Sequence, residues 1–357
     1  MQPKHLLVAD ALRRDLLTGK IKPASVLPGE RLLAKRFEVS YMTCRRAIEL
    51  LVAEGLCERR GQRTLATPEA QQLARSVRLN LLCFQLNTFS EPLIKAADQV
   101  AHQHGWLTQL TIVHGVNDRF ALQAIASGEP CLFLLPSNEL LEGRIGRALE
   151  KSHAPIIIVG NNTEEEKTPW VKADDKLKMR LAINHLQALG HQSMLFTFDN
   201  IGHRGISECL EEWTIHEQGK TGDYPRPVLR VNTKSFESRP HTARRSIKNY
   251  FADHPSPSAI ICDNDELALG VLQGLRDLGL KVPEDVSILS FGNTILAEYA
   301  SPSLTVMDVQ FDRHIRIATD LIANALNGQA FVPKGHIIRP RLIKRESTAP
   351  VRVSSRT

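Results

Sequence analysis

Apolar residues between His5 and Thr18 recur at Leu6, Ala9, Leu12, Leu16 and Leu17, a spacing of three and four that predicts an amphipathic helix stopped by Gly19. A second helix is predicted over Glu30 to Arg36, with Pro28 in its opening turn and Leu32, Leu33 and Phe37 facing inward. Glu38 and Val39 make a turn, and Ser40 is a good N-cap for a third helix reaching Glu54. In that third helix Cys44, Ala47, Ile48 and Leu51 share one face. Tyr41, Met42, Arg45, Arg46 and Glu49 fall on the other, and Gly55 ends it. Leu56 to Thr67 then reads as two short strands around Arg59-Arg60-Gly61-Gln62-Arg63. From Leu79 onward strand-sized apolar runs (79–86, 107–113, 131–135, 156–159, 194–198, 228–231, 259–262, 286–291) alternate with helix-like stretches such as 91–104, 177–189, 204–212, 241–253 and 266–278. Such alternation predicts an α/β architecture with parallel sheets, whose ligands lie beyond the carboxyl ends of the strands.

Two short helices, a tight connection and a basic hairpin between Leu27 and Arg63 have the layout of a winged helix-turn-helix. Charge supports a polyanion partner for this segment. Residues 1–76 hold 14 Lys and Arg against 8 Asp and Glu, whereas the remaining residues hold 31 of each. The whole positive excess therefore sits on one small module. A helix fits the major groove, where side chains near its N-terminus reach base edges and guanidinium groups pair with guanine or clamp phosphates. Tyr41, Thr43 and Arg45 are the candidates for the groove, with Arg46 on the same exposed face. Arg31 and Arg63 are candidates for the DNA backbone or the minor groove.

Over residues 4–67 the chain resembles the GntR family of bacterial regulators. The resemblance rests on Leu27-Pro28-x-Glu30-Arg31-x-Leu33-Ala34, Val39-Ser40-x-x-Thr43-x-Arg45-x-Ala47, Leu51-x-x-Glu54-Gly55-Leu56 and the glycine-bearing wing. It implies operator contacts by Arg31, Ser40, Thr43 and Arg45. Position 41 is tyrosine where the family commonly has arginine, and position 29 is glycine where serine or alanine is usual, which implies a shifted base preference.

Residues 79–347 resemble the LacI family, whose effector domain has the periplasmic-binding-protein fold. The matching pieces are Val171-x-x-Asp174-Asp175, His185-Leu186-x-x-Leu189-Gly190-His191, Ala259 to Asp265 with Ala268 and Gly270, Val282-Pro283-x-Asp285-Val286-Ser287-Ile288-x-x-Phe291-Gly292-Asn293, Leu304-Thr305 with Gln310, and Arg341-Leu342-Ile343-x-Arg345-x-Ser347. The resemblance implies two lobes joined by three crossovers, assigned here to the strands after residues 158, 290 and 304, and a ligand cleft between the lobes. It implies a hydroxyl-binding role for Asp265, weighed against a helix N-cap role, and cleft positions for Phe89, Ser90, Asn161, Asp174 and Arg204. Gly292 stands where the family usually has aspartate, which removes one polar group from the expected site. No LacI-type hinge helix precedes Leu79, as expected where a GntR-type head replaces the native one. This hybrid layout is similar to that of arabinose-repressor-like bacterial regulators.

The resulting expectation is a winged helix-turn-helix over 1–67, a linker over 68–78, a two-lobed α/β effector and dimerisation domain with parallel sheets over 79–347, and a tail over 348–357. The expected partners are double-stranded operator DNA, a sugar-like effector and a second copy of the chain in a homodimer. The resemblance implies a repressor; the competing reading is a DNA-binding protein whose C-terminal domain only dimerises. A stand-alone sugar-binding transport protein would carry a secretion signal and no basic winged module. Enzyme classes fare worse, so no catalytic residue or cofactor is assigned. The first strand of the α/β region is not followed by a GxGxxG-like turn, and a P-loop is missing. The thirteen histidines show no HxxxH or HExxH spacing, so no metal site is expected. No apolar run reaches membrane-spanning length, and the N-terminus lacks a signal-like segment, so a cytoplasmic protein without membrane contact is expected. The six scattered cysteines then read as reduced, mostly buried thiols.

Overall fold

The computed structural model describes residues 3–351 except 18, 23, 62, 68–75, 85, 164–166, 200–201, 216–226 and 235–236. They form two compact units, residues 1–78 with 105–107 and the remainder. The predicted linker falls largely outside the described residues.

The first unit contains α1 (Lys4–Leu17), α2 (Glu30–Arg36), α3 (Tyr41–Ala53) and a hairpin of β1 (Cys57–Arg60) and β2 (Arg63–Ala66). Val8, Ala9, Leu12 and Leu16 of α1 meet Leu33 of α2 and Cys44, Ala47, Ile48 and Leu51 of α3 in one core. The three-and-four spacing thus becomes one buried stripe on each long helix, worth about 1.5–3 kcal/mol for each large aliphatic side chain buried. Glu38 adopts a φ of 53°, and the Val39 N–H donates to the Ala34 carbonyl at 3.0 Å, closing the turn between α2 and α3. The strand-like segment before α2 joins the wing: the Leu27 N–H donates to the Thr64 carbonyl at 2.8 Å.

Two details depart from the sequence reading. Helix α2 begins at Glu30 with Gly29 as its cap, so Pro28 precedes the helix. Leu32 is 63% exposed, because a helix of seven residues buries only the position facing α3, which is Leu33.

The second unit has two lobes. One sheet has the order β13-β7-β6-β5-β3-β4 and the other β14-β12-β11-β10-β8-β9. In chain order its elements are β3 (Arg78–Cys83), α4 (Ser90–Gln103), β4 (Leu107–Ile112), α5 (Arg119–Ala126), β5 (Cys131–Leu134), α6 (Asn138–Glu142), α7 (Arg144–Lys151), β6 (Ile156–Val159) and β7 (Trp170–Ala173). The chain then passes to the second lobe through α8 (Asp175–Ala188), β8 (Met194–Asp199), α9 (Arg204–Ile215), β9 (Val228–Val231), α10 (Arg239–Asp253), β10 (Ala259–Cys262), α11 (Asp265–Asp277), β11 (Ser287–Gly292), α12 (Ile295–Tyr299) and β12 (Thr305–Asp308). It returns with α13 (Phe311–Leu326) and β13 (Gly335–Ile338), and crosses once more to β14 (Arg341–Ile343).

Both faces of the second-lobe sheet are covered. Leu195, Ile260, Ile288 and Val306 pack under α10 and α11, while Phe196, Ile261, Leu289 and Met307 pack under α8 and α9. Two-sided burial explains why these strands read as continuous apolar runs and not as alternating ones. The crossovers lie after β7, after β12 and between β13 and β14. The strand after residue 304 is therefore one of them, but those after 158 and 290 are not. Strands β6 and β11 each continue into the same sheet, since they pair in parallel with β7 and β12. Strand β7 is short and follows a loop, and it was hidden by the polar Lys172 within it. All six cysteines are buried free thiols.

Candidate functional site

On the first unit, α3 presents the face that its spacing predicts. Tyr41, Met42, Arg45 and Arg46 are exposed, as are Arg31 on α2 and Arg63 on the wing. Ser40 caps α3 by accepting the Thr43 N–H at 3.1 Å, and the two hydroxyls lie 2.8 Å apart. Arg45 reaches Glu49 one turn on at 3.2 Å, an exposed pair that solvent screens and that is easily exchanged for another anion. Arg59 pairs with Glu30 at 3.0 Å and Arg60 with Glu58 at 2.8 Å. Arg31, Arg46 and Arg63 make no ion pair among the described residues. The exposed N-terminus of α3 and the guanidinium groups of Arg31, Arg46 and Arg63 are the kinds of donor that a phosphate backbone takes.

In the second unit a cavity of about 150 Å³ lies between the lobes at the carboxyl ends of β3, β6, β7, β8 and β10. This is roughly ten water-sized positions, close to the bulk of one monosaccharide. Phe84, Phe89, Leu135, Val159, Ile206 and Phe311 make its apolar wall. Phe89 and Phe311 meet edge to face with centroids 5.5 Å apart. Asn87, Asp175, Lys178, His203, Arg239, Asp263, Asn264 and His314 supply the polar side.

The polar side is ordered around Lys178. Its ammonium donates to Asp175 at 2.5 Å and lies 4.8 Å from the Phe291 ring centroid. Burial opposes that charge, but Asp175, Cys209 and Asp263 together more than offset it and the Lys178 pKa stays above its ordinary value. Burial likewise opposes ionisation of Asp175, and Lys178 and Lys172 outweigh it, so the carboxyl sits below the usual range. Lys172 stands 3.5 Å from Asp175 and also binds Glu208. Gly205 permits this: a Cβ there would lie 2.7 Å from the Asp175 carboxylate. Burial drives His203 down to about 4, so its ring is neutral. His203 Nδ1 accepts the Gly205 N–H at 3.2 Å, and the nearby Gly160 backbone and Asp175 only partly oppose the fall. His314 is also held neutral by burial; its Nδ1 donates to the Gln310 carbonyl at 3.0 Å, so its Nε2 is an acceptor on the cavity wall. Asp263 is pushed by burial to about 6, with Lys178 opposing the rise.

Of the residues chosen from sequence, only Phe89 lines this cavity. The hydroxyl of Ser90 is engaged with the backbone of Asn87. Asn161 is fully buried and donates to the Pro136 carbonyl and to Asn138. Asp174 caps α8 through the Leu177 N–H at 2.9 Å, and its neighbour Asp175 is the one that faces the cavity. Arg204 lies 3.9 Å from Glu142, between His203 and Gly205, which do line it. Asp265 is fully buried and accepts from Ser290 Oγ at 2.5 Å and from the Thr294 N–H and hydroxyl at 2.7 and 2.8 Å. Helix α11 is capped by Asn264, not by Asp265. The place of the expected aspartate at 292 is filled from elsewhere: Gly292 has a φ of 137°, and a Cβ on it would lie 2.8 Å from the Phe89 ring and 3.0 Å from Asp265. Lys178, Arg239, Asp263 and His314 were not singled out from sequence; Lys178 on the otherwise apolar inner face of α8 was the readable sign.

These two sites match known families. Residues 5–65 match the model described as bacterial regulatory proteins, gntR family, and residues 183–348 match the periplasmic binding protein-like domain. The chain joins a gntR-type DNA-binding domain to a LacI-like periplasmic binding protein-like domain. This regulator is similar over 98% of its length to the arabinose metabolism transcriptional repressor of Halalkalibacterium halodurans, at 25% identity and covering 97% of that protein. The arabinose metabolism transcriptional repressor of Geobacillus stearothermophilus is 24% identical, with 98% of both chains covered. Among solved structures, a LacI family regulator from Enterococcus faecium with bound ribose superposes with a TM-score of 0.66 at 20% identity, over 77% of this chain and all of that one. The regulator CcpA of Lactococcus lactis superposes with a TM-score of 0.65 at 17% identity, again over 77% and all of the respective chains. The chain is thus a DNA-binding transcription regulator. None of its described helices is long and apolar enough to cross a membrane.

Proposed function

We propose that this regulator is a repressor that binds a near-palindromic operator as a homodimer and releases it when one neutral monosaccharide occupies the cleft. The observation that carries this reading is the cavity itself. Its size admits one sugar ring, Phe89 offers an aromatic face, and Asp263 and His314 Nε2 accept hydroxyl protons while Lys178 and Asn87 donate. A pentose or hexose meets that mixture of donors and acceptors; an anionic sugar would meet the Asp263 carboxylate. The relatives named for arabinose metabolism and the neighbour with bound ribose support a monosaccharide. Asp265, Asn161, Asp174, Ser90 and Arg204 hold the walls in place behind these groups.

At the operator, Tyr41, Thr43 and Arg45 read bases in the major groove, and Arg31, Ser40, Arg46 and Arg63 hold the backbone. Two copies place two such heads on successive major-groove faces. An effector that favours one arrangement of the lobes shifts the affinity for DNA by no more than its own preference between the arrangements.

The test is thermal shift of the full chain against L-arabinose, D-ribose, other aldoses, sugar acids, polyols and nucleosides, followed by operator release with any hit. Stabilisation by a neutral monosaccharide and release of operator by the same sugar support the reading. Stabilisation only by sugar acids or nucleosides overturns the ligand class, and no stabilisation across the panel favours a domain that only dimerises.

A further inference from the structure

Among the described residues, polar contacts bridge the two lobes of the second unit from Thr88 to Glu266, from Asn138 to Gly202 and from Lys172 to Glu208. Thr88, in the loop between β3 and α4, donates its hydroxyl to Glu266 at 2.8 Å and its N–H to the same oxygen at 3.4 Å. The Asn138 N–H donates to the Gly202 carbonyl at 2.8 Å. The Thr88 and Lys172 bonds go to carboxylates and are charge-assisted, and such bonds are roughly twice as strong as neutral ones. Lys172 lies in β7 beside the crossover to α8, whereas Thr88 and Glu266 belong to segments that no crossover joins directly.

The Glu266 carboxylate is fixed from behind. Its second oxygen accepts from the Arg239 guanidinium at 3.0 Å, and Arg239 in turn donates to Asp199 at 3.2 Å. The side chains of Glu266, Arg239 and Asp199 are 13, 16 and 5% exposed, so water competes poorly for them. Arg239 is part of the cavity wall as well. A chain of polar contacts therefore runs from the end of β8, past the cavity, to a loop of the opposite lobe.

We propose that Glu266 is the positioning residue that latches the two lobes together, by clamping Thr88 while Arg239 holds its carboxylate in place. The latch acts on closure and makes no contact with the effector. It stands apart from the identity of the effector, because it is formed by the protein's own groups.

Hydrogen exchange of the full chain without any sugar tests it. Asn138 is the first residue of α6, so its N–H has no partner within its own helix. Its protection reports the bond to Gly202, and hence closure, at a point remote in sequence from Glu266. In wild type the Asn138 and Thr88 amides are expected to be protected. In Glu266→Ala the Asn138 amide is expected to exchange about tenfold faster, the loss of one charge-assisted hydrogen bond, while core amides of α11 such as Leu272 keep their wild-type rates. Glu266→Gln, which can still accept from Thr88 but not pair with Arg239 as an anion, is expected to fall between. Unprotected Asn138 in wild type overturns the proposal, as does a wild-type rate in Glu266→Ala. Equal acceleration of Asn138 and the α11 core also overturns it, since that marks a destabilised lobe instead of an opened cleft.

Discussion

Arg59 on the wing donates to Glu30 at the start of α2 at 3.0 Å, which ties the hairpin to the body of the DNA-binding unit. The same carboxylate raises the Tyr41 hydroxyl above its ordinary pKa. Glu30 therefore arranges one group on the wing and one on the recognition helix. Both Arg59 and Glu30 belong to stretches that the sequence marked, but the bond between them spans twenty-nine positions and no local pattern shows it.

Glu30→Ala should barely change stability, because a pair this exposed contributes less than about 1 kcal/mol. Its effect should appear in DNA selectivity. Removing a negative charge beside the groove strengthens binding to any duplex, while the freed Arg59 and Tyr41 lose their fixed orientation. Fluorescence anisotropy with operator and random duplexes should show tighter non-specific binding and a smaller ratio between the two. An unchanged ratio would mean that Glu30 does not organise the reading surface.

Arg45 and Arg63 should fail in different ways. Arg45 projects from the first turns of α3, so Arg45→Ala should cost about 1–3 kcal/mol and relax preference at one operator position. Arg63→Ala should weaken binding to all sequences evenly and lower the slope of log affinity against log salt by about one. A salt titration on operator variants separates the two, and identical behaviour of both variants would dismiss the assignment of roles.

Much of this surface was legible because a recognition helix is a local object. Cap, stripe and exposed face all lie within Ser40 to Gly55, and helical spacing alone separates Cys44, Ala47, Ile48 and Leu51 from Arg45 and Arg46. The cleft is assembled from elements far apart in the chain. Asp174 and Asp175 are adjacent in sequence, yet one caps a helix and the other faces the cavity, and only the direction of the α8 backbone decides which. The same one-residue ambiguity separates Asp265, locked under Ser290 and Thr294, from Asp263 and Asn264 on the wall. The crossovers after 158 and 290 were misplaced for a related reason: a parallel strand reads the same whether its successor stays in the sheet or leaves it.

Ser40 has two tasks that substitution can separate. Its Oγ accepts the Thr43 N–H at 3.1 Å, and loss of such a cap costs about 1 kcal/mol. Ser40→Ala should lower the melting temperature of the DNA-binding unit by a few degrees. Ser40→Asp should keep the cap, since aspartate serves equally well there, yet place a negative charge where the phosphate must come. Calorimetry should then show near wild-type stability for Ser40→Asp together with operator binding weakened by at least about tenfold. Full operator affinity in this variant would remove Ser40 from the DNA contact.

Asp263 should set stability and response against each other. Burial raises its carboxyl from 3.8 to about 6, so the folded chain keeps this proton to higher pH than the unfolded chain. The stability it contributes is fully present below about pH 4 and is lost as pH rises through 6. His203, lowered by burial to about 4, acts in the opposite sense, being destabilising as pH falls below 6.5. A comparison of wild type with Asp263→Asn cancels that contribution, because both chains carry His203. Asp263→Asn should match wild type near pH 3.5 and exceed it by up to about 2 kcal/mol above pH 6.5, a figure reduced for the partial exposure of this carboxyl. Because an amide accepts hydroxyl protons more weakly than a carboxylate, the variant should also bind a monosaccharide less tightly. Denaturant titrations across pH, paired with thermal shift in L-arabinose and D-ribose, read both effects. A stability difference that does not vary with pH would show that Asp263 ionises in the folded chain as it does in the unfolded one.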